Sequence, residues 1–209
     1  MSNEFLLQDS RGNTGDRLMF WAKDGAGYTT NLDKAQRFTK EQAVGHNESR
    51  ETDLPWPLAY LVDRMEQAVD CQDLKVDAVD AGLLVAERGY LHAERAWNGN
   101  DLYWLTIDGD VTSDFGRAHA FPIGIARSMA KPKHHNVRLV PVELVDSLAR
   151  KVVPSGRVNH KEALRGTGIM LAKRQRIKAL PDRCGHCGGF ISNAQRFQDC
   201  PKCGGCNAP

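Results

Sequence analysis

The chain has 209 residues, of which 41% are hydrophobic and 26% are charged, a composition typical of globular proteins and unlike that of disordered or collagen-like chains. It contains no apolar run of the roughly 18 residues needed to cross a bilayer, and its first residues lack the basic and apolar regions of a signal peptide. We therefore expect a cytoplasmic protein with no membrane partner.

The charges are unevenly distributed along the chain. Residues 1–130 contain 13 Lys and Arg against 21 Asp and Glu, whereas residues 131–209 contain 15 against 5. A basic region attracts phosphate groups, so this division favours a nucleic-acid partner for the C-terminal part. Docking of the basic part on the acidic part explains the same division equally well.

The acidic part contains a repeated pattern. With one gap near Gly27, residues 19–43 align with residues 103–126. In this alignment Asp24-Gly25 matches Asp108-Gly109, Phe38 matches Phe121, and Ala43 matches Ala126. In each copy an aromatic-rich strand precedes the Asp-Gly turn, and DKAQRF or GRAHAF predicts one helical turn. This indicates a duplicated hairpin-helix module of about 40 residues.

Three aromatic residues of these modules are candidate partner-binding residues, namely Trp21, Tyr28 and Trp104. Exposed aromatic rings stack on bases or on a protein partner. The alternative for the two Trp residues is that they fill the small core of each module.

The first module carries a family resemblance. The pattern FW…DG.GYT..LDKA.RFT.EQA, followed by RETDLPWPLAYL at residues 50–61, resembles small accessory proteins of bacteriophages and other bacterial mobile elements. The resemblance covers residues 5–70 best, and it brings no catalytic residues with it. It implies a protein that binds nucleic acid or inhibits host machinery.

The segment between the modules predicts an amphipathic helix followed by an acidic loop. One helical stripe would carry apolar side chains from Leu58 to Val69. Four carboxylates then follow, which could bind magnesium in a nuclease or simply form a solvated loop. These are Asp70, Asp73, Asp77 and Asp80.

Residues 131–181 predict a basic region of strands and helices. Residues 136–140 alternate as a strand, Pro141 opens a helix, Asn159 begins a capping box, and Gly166 and Gly168 interrupt the helix that follows. Basic side chains dense enough to contact a phosphate backbone come next. These candidate nucleic-acid-binding residues are Lys173, Arg174, Arg176, Lys178 and Arg183.

The C-terminal segment predicts a metal site. Cys184 and Cys187 form one CxxC pair, and Cys200 and Cys203 form a second after twelve residues. Two such pairs supply four thiolates in a tetrahedron, the arrangement of structural zinc. Residues 182–205 resemble the zinc ribbon family, whose small core would here be formed by Phe190, Ile191 and Phe197, with His186 as an exposed turn residue.

The sequence as a whole predicts an α+β protein with two tandem hairpin-helix modules (ββα-like), a helical basic region and a C-terminal zinc ribbon. The expected domains are 1–80, 81–130, 131–181 and 182–209. The leading hypothesis is a non-enzymatic accessory protein that binds zinc and uses its basic C-terminal region to bind DNA or RNA. The alternatives are an inhibitor or adaptor that binds a host protein, and a metal-dependent nuclease.

Overall fold

The computed structural model describes residues 4–130, 136–172, 182–192 and 195–207, and it shows a mixed α+β protein. The chain divides into two units, residues 1–173 and residues 174–209. The first unit contains two four-stranded paths of antiparallel strands, and the second contains the four clustered cysteines.

The first sheet is formed by the N-terminal elements. In chain order these are β1 (Phe5–Thr14), β2 (Arg17–Trp21), β3 (Tyr28–Thr29), α1 (Lys40–Ser49), β4 (Asp53–Pro57), α2 (Leu58–Val62), β5 (Glu66–Ala68) and α3 (Val76–Leu83). The strand order in the sheet is β3-β2-β1-β4. Helix α1 begins at a capping box between Thr39 and Gln42, which satisfies backbone N–H groups at the helix start.

The second sheet has the same plan. Its elements are β6 (Arg88–Asn98), β7 (Asp101–Leu105), β8 (Val111–Thr112), β9 (Phe121–Pro122), α4 (Ile123–Met129), β10 (Val137–Pro141), α5 (Val142–Leu148), β11 (Arg150–Val152) and α6 (His160–Ala163). The strand order is β10-β6-β7-β8, with β9 also paired to β6.

Residues 84 positions apart occupy equivalent places in the two sheets. Gln8 lies opposite Phe20 in the first sheet, and His92 lies opposite Trp104 in the second. Arg17 and Asp101, which contact each other directly across 84 positions, hold the same place beside the two hairpin turns. We call two such residues an equivalent pair.

The two sheets exchange their final segments. Strands β5 and β11 pair with each other, so each leaves its own sheet. Beyond them, the Leu18 N–H donates to the Val153 carbonyl oxygen across 3.0 Å, and the Leu102 N–H donates to the Val69 carbonyl oxygen across 3.0 Å. Each sheet is therefore extended by the chain segment that follows the other sheet.

This exchange gives two cores with mixed membership. The core on the first sheet includes Leu6, Phe20 and Trp56 but also Val153 and Ala163, which follow the second sheet in the chain. The core on the second sheet includes Trp104, Phe115 and Val140 but also Val69, which follows the first sheet in the chain. In these two clusters, neither sheet is covered by residues of its own half alone.

A charged network lies where the two halves meet. The guanidinium of Arg17, whose side chain is 1% exposed, donates from Nε to Asp101 Oδ2 at 2.8 Å and lies 2.6 Å from Glu66 Oε1. Asp101 is also paired with Arg150. Burial of a charge is unfavourable unless it is paired, and here each buried carboxylate lies against a guanidinium.

Several sequence predictions agree with this fold. Strand β10 and helix α5 lie where residues 136–148 predicted them, and the Asn159 side chain accepts hydrogen bonds from the Lys161 and Glu162 N–H groups at the start of α6. Helix α6 ends before Gly166. The residues 137–152 form strands and a helix of the second sheet and its exchanged segment.

Two helix predictions were wrong. The predicted amphipathic helix from Leu58 to Val69 is the short helix α2 followed by strand β5, because β5 pairs with β11. DKAQRF forms turns and isolated bridges without a helical turn. At GRAHAF, by contrast, a 3-10 turn at Phe115–Arg117 overlaps the predicted one, and the helices α1 and α4 begin after these segments. The plan that the two sheets share is consequently larger than a hairpin and one helical turn.

Candidate metal centre and cationic surface

The four predicted cysteines lie in two matching turns. In each turn the first cysteine's carbonyl oxygen accepts from the N–H of the residue after the second cysteine, at 2.9 Å for Gly188 and 2.8 Å for Gly204. Both of these glycines have a positive φ, 68° and 72°, which residues with a side chain rarely adopt. The strands β12 (Asp182–Arg183) and β13 (Phe190–Ile191) pair on either side of the first turn.

The two turns bring the four sulfurs together. The Sγ atoms of Cys184, Cys187, Cys200 and Cys203 all lie within 4.8 Å of one another. Cys184 Sγ is 3.7 Å from Cys203 Sγ, and Cys187 Sγ is 3.8 Å from Cys200 Sγ. A metal bound to four sulfurs at about 2.3 Å in a tetrahedron requires sulfur–sulfur distances of about 3.8 Å. The cluster therefore fits a tetrahedral metal ion.

Backbone groups also favour the thiolate form that a metal requires. The N–H groups of Cys187 and His186 point at Cys184 Sγ and lower the pKa of this thiol to about 6. The N–H groups of Lys202 and Cys203 lower the pKa of Cys200 in the same way. A donated hydrogen bond stabilises the charged sulfur, so these turns prepare the two buried cysteines for metal binding.

His186 lies beside the cluster but outside it. Its Nε2 atom is 2.9 Å from the carbonyl oxygen of Cys206, which can only accept, so the ring donates there. A side chain at position 205 would lie 2.5 Å from the His186 ring, which explains the glycine at that position. His186 thus links the two turns as an exposed residue, in keeping with its predicted role.

The apolar residues of this segment differ from the prediction. Ile191 is buried with Cys184 and Cys200, whereas the side chains of Phe190 and Phe197 are 55% and 64% exposed. A segment of this size has room for one aliphatic side chain beside its sulfurs. The two phenylalanines are consequently surface residues and not core residues.

Each exposed phenylalanine lies next to an arginine. The Arg183 guanidinium carbon is 4.5 Å from the centre of the Phe190 ring, and that of Arg196 is 5.6 Å from the centre of the Phe197 ring. No ion pair involving Arg183 or Arg196 is found among the described residues. Arg183 is the one candidate nucleic-acid-binding residue that the structure describes, since Lys173, Arg174, Arg176 and Lys178 lie outside the described residues.

Basic residues earlier in the chain are paired with the acidic part. Arg150 contacts Asp70 and Asp101, and Arg157 contacts Glu66 and Asp114. The pairs Lys151–Asp33 and Arg138–Glu94 are of the same kind. Many of the basic residues after position 131 therefore form ion pairs with acidic residues inside the first unit.

The three candidate partner-binding aromatics are not together. Trp104 is fully buried against Tyr90 and Phe115, so it is a core residue and does not face a partner. Trp21 and Tyr28 are neighbours, with ring centres 5.3 Å apart, and Tyr28 is 38% exposed. The core alternative was thus correct for Trp104.

The four aspartates of the nuclease alternative do not form a cluster. Asp70 is held by Arg150 at 3.1 Å and accepts from the Gln72 N–H. Asp77 and Asp80 lie on helix α3, which begins after the loop that holds Asp73. In the described part of the chain, the four cysteines are the one group of three or more potential ligands close enough to share a metal ion.

A scan against protein-family models and searches of curated proteins and of solved structures found no match to this chain. Among the described residues, no helix is both long enough and apolar enough to span a membrane.

Proposed function

We propose that the protein binds single-stranded nucleic acid through its C-terminal unit, which a zinc ion holds in shape. The observation that carries this proposal is the pairing of exposed phenylalanine rings with arginines around a complete set of four thiolates. Bases of any sequence stack on aromatic rings and guanidinium planes, and a cationic surface attracts the phosphates between them.

The distribution of charge supports this location. The basic residues from Arg138 to Arg157 are engaged by carboxylates of the first unit, whereas Arg183 and Arg196 lie beside aromatic rings. The segment 173–183 adds five basic residues against one acidic residue. The resemblance of residues 5–70 to phage accessory proteins favours the same class of partner.

Zinc is the metal that we assign to the cluster. Four thiolates in a tetrahedron suit zinc, and they leave no open position for water, so the ion would be structural. In this proposal the ion fixes the two turns and thereby the positions of Phe190 and Phe197. Elemental analysis of the purified protein is expected to give one zinc per chain.

Fluorescence anisotropy with labelled poly(dT) and poly(U) tests nucleic-acid binding. We expect binding at 50 mM salt that weakens steeply at 200 mM, because phosphate contacts release counterions. Phe190→Ala should weaken binding about 5- to 100-fold, since stacking is worth about 1–3 kcal/mol per base. Arg183→Ala should weaken it and reduce the salt dependence.

Lys151→Ala is the matched control, because Lys151 lies in the first unit and pairs with Asp33. It should bind as the unaltered protein does. Absence of binding to either polymer at 50 mM salt would refute the proposal, as would equal losses in Phe190→Ala and Lys151→Ala.

A second candidate function is that of an adaptor or inhibitor that binds a host protein. The observation that favours it is the surface formed by Trp21 and Tyr28, where Arg11 and Arg50 each donate to the Tyr28 hydroxyl at 3.2 Å. Aromatic and arginine side chains dominate the energetics of many protein interfaces. A host protein that is retained after nuclease treatment, and lost in Tyr28→Ala, would support this function.

We also infer that residues 4–83 and 88–163 are two copies of one ancestral unit. The support is the shared strand order and the reciprocal contacts of residues 84 positions apart. This unit contains three helices and five strands, and it includes the hairpin-helix pattern of the sequence alignment.

A further inference from the structure

A cavity of about 290 Å³ lies in the first unit between helix α3 and the strands β6 and β10. Its wall is mixed: aliphatic side chains such as Val76, Val79 and Leu139 line it together with the charged residues Asp80, Glu94 and Arg138. The side chain of His92, which is only 7% exposed, also lines it. A cavity that combines apolar side chains with a few polar groups is the usual form of a small-molecule site.

The equivalent place in the other half is filled by a side chain. There Trp56 lies at the position equivalent to Val140, a lining residue of the cavity, and Trp56 is buried. Its ring is stacked on Tyr60 at 6.0 Å and lies 4.6 Å from the His160 ring. Position 140 carries a valine, which is smaller than the tryptophan at position 56, and the cavity lies beside it.

The residue that accepts a hydrogen bond from the Trp56 indole also has an equivalent in the second half. The Trp56 Nε1–H donates to Gln8 Oε1 at 2.8 Å, and Gln8 is equivalent to His92. His92 Nδ1 lies 3.2 Å from the carbonyl oxygen of Ala93, which can only accept. The proton is therefore on Nδ1, and Nε2 is left as an acceptor, as Gln8 Oε1 is.

We propose that this cavity binds a small planar aromatic molecule of indole size whose ring N–H donates to His92 Nε2. The molecule would take the place that the Trp56 side chain fills in the other half. Burial lowers the pKa of His92, which keeps the imidazole neutral and able to accept. This site is independent of the proposed nucleic-acid surface, since all of its lining residues belong to the first unit.

Isothermal titration calorimetry and NMR titration of the full chain with indole test the proposal. We expect saturable binding at one site with a dissociation constant of roughly 0.1–1 mM, as befits a ligand of about nine heavy atoms. The shifts should be largest for Val79, His92 and Val140. 1-Methylindole, which lacks the N–H donor, should bind at least about fivefold more weakly.

Two substitutions of His92 separate shape from hydrogen bonding. His92→Gln introduces the residue of the other half and should retain the preference for indole over 1-methylindole. His92→Leu removes the acceptor and should abolish that preference. If both variants keep the preference, or if indole shows no saturable binding to the unaltered protein, the proposal is refuted.

Val140→Trp and Trp56→Val form a reciprocal pair of variants. Val140→Trp fills the cavity as Trp56 fills its equivalent and should abolish indole binding in a protein with a native spectrum. Trp56→Val removes the indole side chain from the first half and should open an equivalent cavity there. The stoichiometry should then rise from one bound indole to two. If Val140→Trp does not fold, the stoichiometry of Trp56→Val decides, and a value that stays at one overturns the assignment.

Discussion

Gly15 and Gly99 are an equivalent pair at the tips of two hairpins that touch each other. A side chain at Gly99 would lie 2.6 Å from the Thr14 carbonyl carbon, and φ is +64° at this position. A side chain at Gly15 would lie 2.4 Å from the Gly99 backbone nitrogen. The close approach of two backbones, together with the conformation, explains why both tips are glycine.

Gly99→Ala should therefore lower the free energy of unfolding by about 3 kcal/mol, because a conformational cost of about 1 kcal/mol adds to overpacking against backbone. Gly25→Ala is the matched control, since Gly25 has φ +68° but nothing within 4 Å of the added carbon. It should cost about 1 kcal/mol. Urea unfolding measures both, and equal losses would contradict the proposed contact between the tips.

The buried carboxylate of Asp9 is another residue with a predictable effect. Hydrogen bonds from Arg11, at 2.7 Å and 2.9 Å, hold the pKa of Asp9 at about 2, below its ordinary value of 3.8. A lowered carboxyl pKa in the folded state stabilises the fold above about pH 4, and this contribution is lost as the pH falls to about 2.

Asp9→Asn should accordingly be less stable than the unaltered protein by about 2 kcal/mol at pH 6, and the difference should shrink toward zero near pH 2. Urea unfolding at several pH values between 2 and 6 measures it. Asp108→Asn, a change at an exposed carboxylate, should have little effect at any pH. A difference between Asp9→Asn and the unaltered protein that does not vary with pH would argue against the Arg11 pair as its source.

At the scale of the elements, the two cysteine turns have almost no apolar core of their own. We expect the four thiolates, joined by a metal ion, to hold these turns together. Ile191 is the buried aliphatic residue of this cluster among the described residues, and the pairings β12–β13 and Asp199–Cys206 are short. Metal binding contributes about 10–16 kcal/mol in comparable structural zinc sites, far more than one buried isoleucine. The fold of residues 182–207 is therefore expected to depend on the ion.

Removal of the metal with a chelator should unfold residues 182–207 and leave the first unit folded. Two-dimensional NMR would show the loss of dispersed signals from the C-terminal unit alone. Cys200→Ser should have the same effect, whereas Cys206→Ser should not, because the Cys206 thiol lies outside the cluster. Retention of the C-terminal signals after complete metal removal would disprove the dependence.

On the scale of the molecule, the exchange of segments couples the two sheets. Val153 follows the second sheet in the chain but is buried in the core of the first, and Val69 has the reverse placement. The strands β5 and β11 join the halves directly. The first unit should therefore unfold in one cooperative transition, because neither sheet keeps a complete core when the other unfolds.

Val153→Ala tests this coupling. We expect a loss of about 2 kcal/mol, and native-state hydrogen exchange should show the same loss for amides of β1 and of β6. Val69→Ala, the equivalent change, should behave in the same way on both sheets. Loss of protection in the first sheet alone would show that the two halves fold separately.

Local features of the chain were predictable because their causes are local. The spacing of four cysteines determined the four-cysteine cluster, since two CxxC turns with a following glycine can present four thiolates at one point. Pro141 and the apolar residues after it determined helix α5, and the pairing of two Asp-Gly patterns indicated a repeat. In each case the signal lies within a few residues or in a comparison of the chain with itself.

Only the tertiary structure decided which residues are shared between the halves. The apolar stripe from Leu58 to Val69 is compatible with a helix, but strand β5 forms because β11 supplies its partner from 84 positions away. The same exchange buries Arg17 with Asp101 and pairs Arg150 and Arg157 with acidic residues of the first half. Such contacts depend on the path of the whole chain, which no local pattern of residues encodes.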